Sequence, residues 1–151
     1  MNFRKTVLSI FLAVLTAVSG FAQTQASAKL KDNDNKTVLE VYNITKEQGS
    51  IKKGKSENGK SNNAAPRVNI SGYAVKVGPD VYGLPSVELS DTKGGKARAL
   101  CVLPFSDYLK LRHVSKGDKV VMNGEVRGYI DEYDIVLVKQ SKIVSVNGKK
   151  P

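Results

Sequence analysis

Tryptophan is absent from this chain of 151 residues, and cysteine and histidine occur once each. The lone thiol, Cys101, excludes a disulfide within the chain, although oxidising compartments favour such bonds. It stands in the apolar run "ALCVL", where a small buried hydrophobe is expected, because a reactive thiol needs basic neighbours and exposure. His113 has no second histidine beside it and only Cys101 as a conceivable partner. A Ser-His-Asp or Cys-His constellation, whose members must lie within hydrogen-bond reach, therefore has no support. Clusters of His and Cys at zinc-ligand spacing are missing too, as is a phosphate-cradling glycine loop. "DNDN" (32–35) lacks the glycine and later glutamate of an EF-hand, and "DEYD" (131–134) reads as a charged hairpin tip. These absences point to a non-enzyme with no metal and no cofactor.

Long apolar runs are scarce. "VLSIFLAVLTAV" (7–18) is unbroken, but it is shorter than the roughly 20 residues a spanning helix needs. Arg4 and Lys5 precede it, and small residues, Gly20 and Ala22, follow before polar "QTQ". That order predicts a signal peptide over 1–22, cleaved after Ala22, with a second possible site after Ala28. No cysteine lies near either site to accept a lipid. The expectation is export, to the periplasm or outside the cell, as a soluble chain without a transmembrane anchor.

Acids are the scarcer sign, 14 against 24 Lys and Arg. Without Arg4 and Lys5 the formal charge is +8, and it is unevenly placed: residues 51–67 hold +4, while 68–151 hold 13 bases and 9 acids. A dedicated nucleic-acid binder concentrates its charge on the folded face. This chain concentrates it in "GSIKKGKSENGKSNNAAP" (49–66), whose Gly, Ser, Asn and Lys content predicts a flexible basic linker.

Composition divides the rest. Residues 23–65 read as a mostly disordered extension, with one segment able to pack, "TVLEVYNIT" (37–45). Thr37 with Glu40 matches a capping box, which favours helix; the Val, Ile and Thr content favours strand. A short helix is preferred. After Pro66, strands are predicted at 67–78, 81–90 (well formed from Ser86, after Pro85), 97–104, 119–130 and 133–146, with a short helix from Ser106 through Leu111. Residues 147–151 form a tail. The order β-β-β-α-β-β is the plan of an all-β, five-stranded Greek-key OB barrel, residues 66–146, with the helix plugging one end. Gly72, Gly124 and Gly128 suit strands that must bend to close a small barrel.

"VNISGYAVKV", "SVELS", "RALCVL", "KGDKVVMNGEVRGY" and "DIVLVKQSKIV" resemble a bacterial OB-fold family described as similar to tRNA-anticodon-binding domains, tRNA_anti-like. The periplasmic bacterial OB-fold family is a looser match. The resemblance covers about residues 66–146, rests mostly on structural motifs, and implies the fold rather than a ligand.

OB barrels bind strands of nucleic acid on the face of their second and third strands, between the loops joining strands one to two and four to five. Cations and stacking aromatics are required there. Tyr73, Lys76, Tyr82 and Arg98, with Arg127 and Tyr129 on the fourth strand, are the candidates for that face. Asp80, Asp131, Glu132 and Asp134 would instead give the two loops acidic walls that repel phosphate. If Ala99, Cys101 and Leu103 face inward, alternation sends Leu100 and Val102 outward, where a half-buried strand should be polar. A cover is expected for them, either residues 38–44 folded back across the outer face or a partner protein. The function expected is an exported OB-fold binding module that contacts an envelope or extracellular protein or glycan. The alternative is single-stranded nucleic acid or another polyanion, bound through the barrel face and the linker.

Overall fold

β2 (Arg67–Pro79) shows why this sequence closes into a barrel. Its alternation buries Val68, Ile70 and Ala74 completely and leaves Asn69, Ser71 and Tyr73 on the other side. At Gly72 and Tyr73 the strand changes partners: residues 67–73 pair with β5 (Lys119–Ile130), and 73–79 pair with β3 (Pro85–Ser90). A computed structural model describes residues 29–49 and 65–151. The expected signal peptide (1–22) and residues 50–64 of the expected linker lie outside the described residues.

β3 pairs antiparallel with β4 (Ala99–Val102), and β4 runs parallel to β6 (Ile135–Val146). β6 pairs antiparallel with β5, and β5 with β2, so five strands close on themselves. The interior is aliphatic: Val87, Leu89, Ala99, Cys101, Val120, Met122, Val136 and Val138 are all fully buried. Burial pushes the Cys101 thiol up to about 12, so it stays protonated and inert at neutral pH.

Gly72 is required by closeness. A Cβ there would lie 2.8 Å from the Ser90 carbonyl oxygen and 3.2 Å from both the Leu89 Cβ and the Val38 Cγ1. The first contact is backbone and cannot swing away. Gly72→Ala is expected to destabilise the fold by roughly 1–3 kcal/mol, the usual range for overpacking, read by urea denaturation. An unchanged midpoint would show that β2 and β3 separate freely at this bend.

Two elements precede the barrel. β1 (Asn35–Thr37) adds to β2 in parallel, Asn35 opposite Asn69 and Thr37 opposite Ser71. It covers the stretch of β2 edge that β3 leaves unpaired before Tyr73. An amide ladder crosses three strands, Asn123 Nδ2 donating to Asn69 Oδ1 and Asn69 Nδ2 to Asn35 Oδ1, each at 2.8 Å. The packed part of the extension therefore begins earlier than 37: Leu30 is buried, and the Asn33 N–H donates to the Arg67 carbonyl. Polar composition misses this because backbone and side-chain hydrogen bonds, rather than apolar surface, hold 31–37.

α1 (Val38–Glu47) follows at once. Its capping box is complete: the Glu40 N–H donates to Thr37 Oγ1, and the Thr37 N–H to Glu40 Oε2. Val38, Val41, Tyr42 and Thr45 form its buried face. The helix stands over the end of the barrel where β3 stops and β4 begins, with Val38 and Val41 in the same core as Ile70 and Leu89. This corrects the expectation that 38–44 cover Leu100 and Val102. A face carrying two fully buried valines finds more apolar contact in the open barrel mouth than on a flat outer wall.

At the other end lies Phe105–His113, which is 3-10 rather than the expected α-helix. Pro104 at its N-cap offers no side-chain cap, and among its residues only Leu111 is buried. With so little packed surface, an α-helix has no tertiary support. The i,i+3 pair Asp107–Lys110, at 3.0 Å, suits the three-residue repeat.

Candidate functional site

The outer wall of β3, β4 and β6 carries a side-chain row set by register. Lys76 pairs with Glu88, Glu88 with Leu100, and Leu100 with Leu137. One step along, Ser86 lies opposite Val102. Since Ala99, Cys101, Val136 and Val138 fill the interior, alternation puts Leu100, Val102, Ile135, Leu137 and Lys139 on the outside. They floor a groove of about 520 Å³.

Two loops wall it. Between β2 and β3, Asp80 Oδ1 accepts from the N–H groups of Tyr82 (2.8 Å) and Leu84 (2.9 Å), which fixes the turn and presents Val81, Tyr82 and Leu84 outward. Between β5 and β6, the 3-10 turn Asp131–Tyr133 presents Tyr133. Both tyrosines are well exposed, Tyr82 at 85% and Tyr133 at 61%. A second, smaller groove continues past Leu84 and Val102 to Leu103, Pro104 and Phe105, and Lys139 lines both. Phe105 and Leu109 are each 70% exposed, so the apolar strip extends onto the 3-10 segment.

Behind the β5–β6 loop lies a charged node. Asp134 adopts a left-handed conformation, φ 52° and ψ 47°, which Asp tolerates better than most residues. Its carboxylate accepts from Lys96 Nζ (2.6 Å), Arg98 Nη1 (3.0 Å), Lys46 Nζ (3.1 Å), Tyr129 Oη (2.5 Å) and Tyr42 Oη. Tyr42 and Tyr129 meet edge to face at 5.8 Å, and the Arg98 guanidinium lies 4.5 Å from the Tyr42 ring centroid. Lys96, followed by Tyr129, Tyr42 and Lys46, holds the Asp134 carboxyl far below the usual range. The hydrogen bond to Asp134 pushes the Tyr129 hydroxyl up to about 12. Hydrogen bonds to Tyr42 and then Asp134 raise Lys46 further.

The six residues predicted for a ligand face are thus dispersed. Lys76 and Tyr82 line the large groove. Arg98 and Tyr129 are taken up by Asp134. Tyr73 lies in a separate depression with Thr37, Leu39 and Asp91. Arg127 is bound at 2.5 Å to Glu125, which also holds Arg67 at 3.1 Å. The expected acidic walls are corrected in part: Asp80 is spent on its own turn, and Asp134 is neutralised by three cations. Leu84, Ile130, Ile135, Leu137 and Tyr133 were not singled out from sequence. The signal available was the outward phase of "IVLVK", which mirrors that of "ALCV".

A closed five-stranded barrel with a groove on its second and third strands, walled by the first–second and fourth–fifth loops, defines an OB-fold binding module. The chain belongs to the tRNA_anti-like family, whose sequence model matches residues 1–142. No curated protein matches the chain. Among solved structures, a candidate nucleic acid-binding lipoprotein from Klebsiella pneumoniae shares the fold with a TM-score of 0.52 at 13% identity, over 75% of this chain and 92% of that one. An OBody bound to hen egg-white lysozyme aligns with a TM-score of 0.39 at 22% identity, over 68% of this chain and 97% of that one.

Proposed function

We propose that this is an exported, non-catalytic OB-fold module whose groove on β3, β4 and β6 takes an apolar segment of an envelope or extracellular protein. The observation that carries the reading is the groove's floor. Leu84, Leu100, Ile130 and Leu137 offer aliphatic surface, backed by the nearly buried Val102 and Ile135, which rewards apolar side chains and gives phosphate nothing to bond. The nearby cations are largely spoken for: Glu88 holds Lys76 at 3.4 Å, and Asp134 holds Lys96 and Arg98.

Single-stranded nucleic acid is the second reading. Tyr82 and Tyr133 on facing loops favour it, since exposed aromatics are stacking platforms. The lipoprotein of the same fold bears a nucleic acid-binding description as well.

Displayed random twelve-residue peptides selected on the full chain discriminate the two. Apolar sequences should be enriched, and Leu100→Asp should weaken the selected peptides by at least about tenfold while leaving the circular dichroism spectrum unchanged. Oligo-dT titrated in parallel should bind weakly and fade at near-physiological salt. Selection of no peptide, with oligo-dT binding that persists in salt and is lost with Tyr82→Ala, would reverse the order of the readings.

A further inference from the structure

We infer that the segment entering the groove carries a carboxylate, placed between two apolar side chains and received by Lys139. The inference rests on the protein-binding reading above and specifies the ligand.

Lys139 is the charged residue that the two grooves share, beside the apolar Leu84 and Val102. It lines both the large groove and the smaller one leading to Phe105, so it stands where they join. An apolar side chain on one side of it meets Leu100 and Leu137; one on the other side meets Leu103 and Phe105. Whatever runs along the strip must pass this ammonium.

Its charge is also uncommitted. The other two lysines of the groove have carboxylates, Lys76 with Glu88 and Lys96 with Asp134. Among the described residues, the Lys139 side chain has no hydrogen bond or ion pair. The carboxylate directly across from it on β5 is Glu125, and that group is already divided, one oxygen on Arg67 and the other on Arg127. A cation set in an apolar strip, with the acid opposite it on β5 engaged elsewhere, is complementary to an anion brought by the ligand. A polyanion would find one free charge here where it needs a row of them. A single carboxylate flanked by apolar groups finds what it needs.

The peptide selection tests this. On the full chain, enriched sequences should place Asp or Glu between apolar residues. Lys139→Ala should weaken them about threefold and Lys139→Glu about tenfold, in line with an exposed pair and its reversal. Exchanging the peptide's acid for Lys should restore binding to the Lys139→Glu chain and weaken it to the native one. Enriched apolar peptides that are lost with Leu100→Asp but show no acid preference and ignore Lys139→Glu would overturn the inference and leave the protein-binding reading standing. Failure to enrich any peptide overturns both. Oligo-dT binding that Lys139→Glu abolishes would assign the free charge to phosphate and overturn the carboxylate.

Discussion

A chain that begins at Pro66 does not hold the native barrel. Such a chain keeps all five barrel strands but loses Leu30, β1 and α1. Val38 and Val41, both fully buried, and Tyr42, 5% exposed, leave the barrel mouth. At about 1.5–3 kcal/mol for each large apolar side chain, their burial is worth roughly 4.5–9 kcal/mol. That is comparable with the entire stability of many domains, about 5–15 kcal/mol. The edge of β2 at Asn69–Ser71 is uncovered at the same time, and an unpaired edge invites association between chains. The expected outcome is loss of the cooperative thermal transition, with aggregation on concentration. A sharp melt within a few degrees of the full chain's would show that α1 is an ornament on a self-sufficient barrel.

The second large effect is expected at Asp134. Asparagine keeps the shape and one acceptor oxygen but removes the charge that Lys46, Lys96 and Arg98 share. Three cations are then left around a neutral amide, with the Tyr42 and Tyr129 hydroxyls competing for what remains. Asp134→Asn should lower Tm by on the order of 5–10 °C at neutral pH. The pH dependence has a definite sign. The folded-state pKa of Asp134 is depressed, so its contribution is fully present above the unfolded value, about 3.9, and is lost progressively as pH falls from there to the much lower folded value. Calorimetry from pH 7 downward should therefore show the gap between native and variant holding to about pH 4 and narrowing below it. A gap that is constant down to strong acid, or no gap at all, would mean the carboxylate's charge does not hold the node together.

The barrel was legible because its signals are local. Alternation in "RVNISGYA" and "ALCV", glycines at Gly72 and Gly124, and the position of Pro85 each act within a few residues, and the order of elements leaves one familiar closed arrangement. The helix was legible only in part: Thr37 and Glu40, which bond each other across three positions, favoured it, while the Val, Ile and Thr content kept strand open.

Its seat was not legible. Periodicity says that Val38, Val41 and Tyr42 share a face, but not which surface they meet, and the decisive contact joins Tyr42 to a residue 92 positions away. β1 has no strand signal of its own; a free edge on β2 recruits it. The outward phase of Leu100 and Val102 could be read from alternation, whereas the groove they help to floor depends on the registers that set Glu88, Leu100 and Leu137 abreast. Arg98 and Tyr129 suggested a ligand face by residue type alone, and only the left-handed turn at Asp134 shows that an internal carboxylate already occupies them.

The span between Tyr42 and Asp134 also bears on when the molecule is finished. A chain that emerges N-terminus first offers α1 early, yet its Tyr42–Asp134 contact cannot form until the β5–β6 turn has followed it out. A ten-residue helix is marginal alone, and closing so long a loop is entropically slow. The barrel mouth should therefore be the last region to order.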